Sequence, residues 1–261
     1  MRTSTMWTDQ DVLEAAAQWT WVPDGSRVRD GDLTLIQRPA WVRGHVAVER
    51  VASDRPAAEL VDEASDVARA WGDDALEWAV PERDDAAIAR ELRSRGAEVI
   101  ERLDVLALPL VGASAPQVPE GVEVHRVESR ADVLAVGAIN AAVWDNALPD
   151  DARVEEVLAE LRRGTGFRVV ASLERRPVST GGVTLAPGPR GTVARLWGAA
   201  TFEDARGRGA YRGVLAERLR LSAEAGATIA LVKGRIATSA PILQRAGFRR
   251  YGGERRFRLP L

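Results

Sequence analysis

The chain has 261 residues, 46% of them hydrophobic and 28% charged, enough for one large domain or two of ordinary size, each with its own core. With 36 basic against 38 acidic residues the net charge is −2, so no bulk attraction to nucleic acid or to an anionic membrane is expected and neither is expected as a partner. The absence of cysteine excludes disulfides, thiolate metal sites and a cysteine nucleophile. No apolar run reaches the about 18 residues that span a bilayer, and Met1 to Trp7 lacks the apolar segment of a signal peptide, so the expectation is a soluble, cytoplasmic protein.

Along the chain, a helix is expected over about 57–71, after the turn-forming Val51-Ala52-Ser53-Asp54-Arg55-Pro56. Ala75 to Pro81 reads as a strand, Asp85 to Gly96 as a helix and Ala97 to Leu110 as a long strand. The stretch Val111 to Glu120 is small, Pro-containing and without apolar periodicity, which makes it a linker between a domain at 1–110 and a second at 121–261. Tryptophan is uneven about it. Trp7, Trp19, Trp21, Trp41, Trp71 and Trp78 precede the linker and only Trp144 and Trp197 follow, to build cores or to line an aromatic acceptor pocket.

After the linker, Val122 to Val127 alternates as a strand, followed by helices over about 130–144 and 152–163. Strands at about 167–173 and 178–185 are joined by the turn Glu174-Arg175-Arg176-Pro177. Val193 to Ala200 is again a strand, and the small residues at its end, Gly198-Ala199-Ala200, let a ligand approach the backbone. It runs into Arg206-Gly207-Arg208-Gly209-Ala210-Tyr211-Arg212, where glycines bend the chain and a helix start offers free N–H groups and a positive dipole end to an anion. The arginines add fork-shaped donors suited to a pyrophosphate. Tyr211, Val214, Leu215 and Leu219 then form one helix face, Gly226 ends it, and Thr228 to Val232 reads as a buried strand, which completes a parallel βαβ unit. A helix over 239–246, with Ser239 as N-cap and Gly247 as stop, and a strand over 248–259 close the chain. This strand, helix, strand ending repeats 75–110, so a tandem of two related domains is expected.

This order of parts resembles the GNAT superfamily of N-acetyltransferases over roughly residues 120 to 261. Arg206 to Tyr211 is similar to the family's [Q/R]-x-x-G-x-[G/A] pyrophosphate loop, and Ser239 to Phe248 to its later short helix ending in Gly-Phe. The resemblance implies two GNAT-like α/β domains. Each would be a mixed, mostly antiparallel sheet with helices on both faces; the C-terminal one would carry a splayed parallel strand pair that binds acetyl-CoA as co-substrate. The N-terminal copy has no Arg/Gly loop and is expected to be degenerate and structural. Two positions depart from the pattern: Tyr211 stands where the family has Gly or Ala, and Leu243 where many members place a tyrosine that protonates the departing thiolate.

On this resemblance the cofactor-binding residues are Ala199, Ala200, Thr201, Arg206, Gly207, Arg208, Gly209, Ala210, Tyr211, Arg212 and Ser239. Acceptors enter over the first two helices and the loop between them, so Trp144 and Asp145 are substrate-binding candidates, and Trp197, on the strand leading to the loop, could wall the acyl or acceptor site. The carboxylates of Asp145, Asp150 and Asp151 could hold a substrate amine, or Asp150 and Asp151 cap the second helix. Glu203, the nearest carboxylate to the strand end, is a candidate base acting through water, and Tyr211 offers a hydroxyl; both also read as ordinary surface or packing residues. His45 and His125 have no second ligand spaced to join them, so no metal is expected.

The leading function is acetyl transfer from acetyl-CoA to a primary amine of a small molecule or protein terminus. A CoA-binding protein without transferase activity, or with other acyl-CoA chemistry such as decarboxylation, is the second reading, and a structural or interaction module with a vestigial loop the third. A covalent pair of domains acts as a pseudo-dimeric monomer, or pairs further as a homodimer.

Overall fold

The computed structural model describes residues 6–261 except 24, 41, 43, 83, 84 and 113–115; Trp41, the first five residues and the middle of the expected linker therefore lie outside the described residues. The chain forms two compact units. Unit I comprises residues 13–106 and 234–261, and unit II residues 107–233 with the first twelve. This differs from the expected division at 111–120, because the last 28 residues belong with the N-terminal unit.

Unit I holds most of α1 (Asp9–Ala17), then β1 (Arg27–Arg29), β2 (Leu33–Gln37), β3 (Val46–Val51), α2 (Ala57–Ala70), β4 (Ala75–Pro81), α3 (Asp85–Ser94) and β5 (Glu98–Pro109) as far as Leu106. β3 and β4 are parallel, with Val46, Ala47 and Val48 opposite Leu76, Glu77 and Trp78. The helix between them buries Leu60, Val61, Ala64 and Ala68, one face at helical spacing. Beside β4 lies the last strand of the chain (Arg249–Pro260, the eleventh), antiparallel from Glu254 opposite Pro81 to Pro260 opposite Ala75. Its alternation explains why the C-terminal segment sits here. Phe257 and Leu259 point into the core with Leu76, Trp78 and Val80, while Arg256 and Arg258 on the other face reach Glu49 and Glu77 at 3.2 and 2.9 Å.

Unit II continues with β6 (Val122–Arg126), α4 (Arg130–Trp144), α5 (Asp151–Arg162), β7 (Gly166–Leu173), β8 (Arg176–Gly188), β9 (Gly191–Thr201), α6 (Ala210–Glu224) and β10 (Ala227–Arg235) as far as Lys233. α7 (Ser239–Arg245) and the last strand, β11, return to unit I. Strands β6 to β9 form an antiparallel meander in chain order, and β10 joins β9 in parallel. Val170 belongs to the core beneath α4 and α5, whereas Val124, opposite the neighbouring Ala171, touches the α6 backbone at Gly213; helices therefore cover both faces. The elements expected from the sequence are present within a few residues of their bounds. The additions are α1 and β1 to β3, of which β2 buries four successive residues, Leu33 to Ile36, and so shows no alternation to find.

Candidate functional site

β9 and β10 are paired only through their first halves: Thr192 to Arg195 lie opposite Ala227 to Leu231, and pairing stops there although β9 runs on to Thr201. Two parallel strands that part in this way leave a crevice at their carboxyl ends. On its other edge β9 is bulged. Trp197 lies opposite Gly182 and Ala200 opposite Thr180, so Gly198 and Ala199 face the single residue Gly181, and Gly198 takes φ +61°. A bulge of this kind leaves a backbone group out of the ladder at the mouth of the crevice. The bulge is the site feature that the sequence reading missed: Gly198 was read as part of a small strand end, and its signal for a bulge was a glycine inside a strand.

Beyond Thr201, a single 3₁₀ turn (Glu203–Ala205) leads to Arg206, which is extended, and then to Gly207 and Gly209 at φ +76° and +87°. Gly209 is the N-cap of α6 and offers no side chain, and no acidic residue stands in the first helical turn. The N–H groups of that turn and the positive dipole end are therefore left for an anion. Arg206 and Arg212 are exposed and carry no side-chain partner among the described residues. Arg208 differs, because Glu174 holds its guanidinium at 2.7 Å from the β7–β8 turn. Asp204 is bonded at 2.6 Å by Arg176, which holds its carboxyl below the usual range.

The other predicted residues divide clearly. Glu203 is exposed beside the turn, while Ala200 and Ala210 are buried; the Ala200 carbonyl accepts from Ser179 Oγ at 3.0 Å. Thr201 Oγ1 shares a 2.8 Å hydrogen bond with the same serine. Tyr211 is half-buried in the first turn of α6, seven residues before Arg218 on the same helix face. Arg218 is 2% exposed and lies over Gly181, where a Cβ would fall 2.9 Å from its Cζ; burial pushes its pKa down. Ser239 belongs to unit I, where it is the first residue of α7 and accepts from the Arg235 N–H at 2.8 Å; Thr238, not Ser239, is the N-cap. Leu243 is 1% exposed and packs near Gly234, so a core side chain occupies that position.

In the α4–α5 loop, Asp150 caps α5 by accepting from Arg153 N–H at 2.8 Å, and Asp151 pairs with Arg130. Those two carboxylates are thus engaged by the protein itself. Asp145 closes α4 in the left-handed region at φ +55°, and Trp144 packs on the α4–α5 core. Trp197 is 37% exposed on β9. The expectation that neither histidine has a nearby ligand is corrected for His45, because the fold brings Asp73 and Asp74 to it with ligand atoms within 4.8 Å. Both oxygens of Asp73 are in use, at 2.7 Å from His45 Nδ1 and from Val46 N–H, and so clip the start of β3 to the turn before β4.

A bulged strand, a glycine turn at a helix start and a parting parallel strand, repeated in outline by β3–α2–β4, define two GNAT-like α/β units. Neither a family model nor a curated protein matches the chain by sequence. Among solved structures it is similar to a GCN5-related N-acetyltransferase from Kribbella flavida, with TM-score 0.67 and 18% identity over 97% of this chain and 92% of that one. A tandem GNAT protein from the clavulanic acid biosynthesis pathway, solved without AcCoA, gives 0.65 and 15% over 95% and 87%. A functionally unknown conserved protein from Staphylococcus epidermidis gives 0.63 and 12% over 99% and 100%. The chain thus has the fold of the GCN5-related N-acetyltransferases. Among the described residues no helix is long and apolar enough to cross a membrane.

Proposed function

We propose that unit II transfers the acetyl group of acetyl-CoA to a primary amine of a small molecule or protein terminus. The observation that carries this reading is the Arg206–Gly209 turn, which opens an acid-free helix start beyond the carboxyl end of β9, the strand that has parted from β10. The pyrophosphate of the co-substrate is gripped by the N–H groups of the α6 start with Arg206 and Arg212, and its thioester arm lies along the crevice. The bulged backbone at Gly198–Ala199 offers an N–H to the carbonyl oxygen as negative charge develops there. The neutral amine attacks the carbonyl carbon, a C–N bond forms, the C–S bond breaks and the thiolate leaves with the electron pair. The amine gives up one proton, for which exposed Glu203 is the base through water, and the thiolate takes one from solvent. Tyr211, half-buried on the helix face of Val214 and Leu215, is here a packing residue.

A second reading, acyl-CoA binding without transfer, is favoured by Leu243, a core residue where a hydroxyl acid would stand. Calorimetry with acetyl-CoA and a thiol-release assay over an amine panel test the proposal together. Binding with thiol release on amine addition is the expected result. Binding without release selects the second reading, and no binding at millimolar ligand overturns both.

A further inference from the structure

We infer that the acceptor amine also carries a carboxylate, received by Arg168 beside Trp197 on the sheet face opposite α6. This deepens the acyl-transfer reading and rests on it. Register places three residues in one row across three strands, since Arg168 of β7 lies opposite Gly182 of β8, and Gly182 opposite Trp197 of β9. The row shares the face of Val170, beneath α4 and α5. Gly182 makes the row possible, because a Cβ there would fall 2.5 Å from the Trp197 ring. The indole therefore lies across β8, is fixed by Nε1 donating to Thr184 Oγ1 at 2.9 Å, and meets the Arg168 guanidinium 5.3 Å from its centroid.

This arrangement differs from ordinary core packing in two respects. Trp197 is held in place yet stays 37% exposed, just past the residue where β9 and β10 part. Arg168, whose side chain is 17% exposed, meets a carboxylate among the described residues through Nη2 alone, at 3.2 Å from Glu160, while Glu160 also accepts from Arg153 at 3.3 Å. The remaining donors of the Arg168 fork are left for a planar anion. A co-substrate gripped on the α6 face and lying along the crevice presents its acyl end at the bulge, on the strand that bears Trp197. An amine delivered there has an aromatic floor and a guanidinium within reach. Of the three acids of the α4–α5 loop that were candidates for holding an amine, Asp150 and Asp151 are engaged as a cap and an ion pair, while Arg168 offers an anion partner on this face.

The test compares an amino acid with its amide as acceptor in the thiol-release assay, using ω-amino acids of increasing length as well as α-amino acids. We expect kcat/KM to favour the acid at least tenfold, and Arg168→Met to collapse that ratio through KM, with Arg168→Lys restoring part of it. Equal rates for acid and amide, or a preference that survives Arg168→Met, overturn the inference while leaving acyl transfer in place. If CoA binds but no amine releases thiol, calorimetry of N-acetyl amino acids against the CoA-bound protein still reads the site. Binding that needs the carboxylate and is lost in Arg168→Met upholds it, and no binding overturns it.

Discussion

The chain contains the same β–α–β motif twice, and only one copy is open to an anion. In unit II, α6 starts at Gly209 with no acidic residue in its first turn, and Arg206 and Arg212 have no side-chain partner among the described residues. In unit I, α2 starts at Pro56 with no side-chain cap, carries Glu59 in its first turn and has no glycine before it. Arg55, the nearest equivalent of the cradle arginines, is bonded at 2.6 Å to Glu63 and at 3.4 Å to Glu59, with Asp32 3.6 Å away. The carboxylates of the first copy thus occupy the place that a phosphate would take, and the fold is kept while the site is closed. A helix dipole alone does not make a cradle: what differs is glycine at positive φ and arginine left unspent.

If unit I is structural, its core should give the largest single effect. Phe257, fully buried with Trp78 and Leu76, is expected to cost about 3–5 kcal/mol on truncation to alanine. Chemical denaturation measures the loss, and hydrogen exchange should show it in α2 and β4, far away in sequence. A loss confined to β9 and α6 would contradict the assignment of the last 28 residues to unit I.

Next in size are substitutions that make the second copy resemble the first. Gly209→Glu places a carboxylate at the α6 start and a side chain at φ +87°, where it also meets Pro119 at 3.2 Å. Acetyl-CoA affinity by calorimetry is expected to fall at least about 100-fold. Arg206→Ala removes one fork and is expected to cost about tenfold, near 1.4 kcal/mol, with no change in melting temperature. Unchanged affinity in both variants would mean that the anion site lies elsewhere.

How much of this was legible in the sequence follows from the range of the interactions. The cradle is local: two glycines, three arginines and a 3.6-residue period lie within about twenty residues, and the structure forms them as read. The partner of the last strand was not legible. Arg249 to Pro260 reads as a charged strand whichever neighbour it has, and its pairing with β4 spans more than 170 positions. The Arg168–Gly182–Trp197 row fails for the same reason, because each residue looks ordinary until register aligns three strands. Arg208 looked like a phosphate donor until the β7–β8 turn delivered Glu174 to it.

The smallest effect separates the units by how they hold a helix start. Where α2 begins uncapped at Pro56, α4 begins with a full capping box: Ser129 accepts from Asp132 N–H, and Asp132 accepts from Ser129 N–H at 3.0 Å. Asp132 is also 2.9 Å from His125 Nε2. Burial, the largest influence on this carboxyl, pushes its pKa up, but the bonds from His125, Ser129 and the backbone N–H groups together outweigh it and hold the pKa at about 2. A carboxylate whose folded pKa lies below its unfolded one, near 3.9, stabilises the fold above about pH 4 and loses that contribution as the pH falls towards 2. Asp132→Ala is therefore expected to cost about 1 kcal/mol at pH 7. The gap to the parent protein should narrow steadily between about pH 4 and pH 2, read from denaturant midpoints across that range. A gap independent of pH would assign the cost to lost packing, leaving the start of α4 no more dependent on a charge than the start of α2.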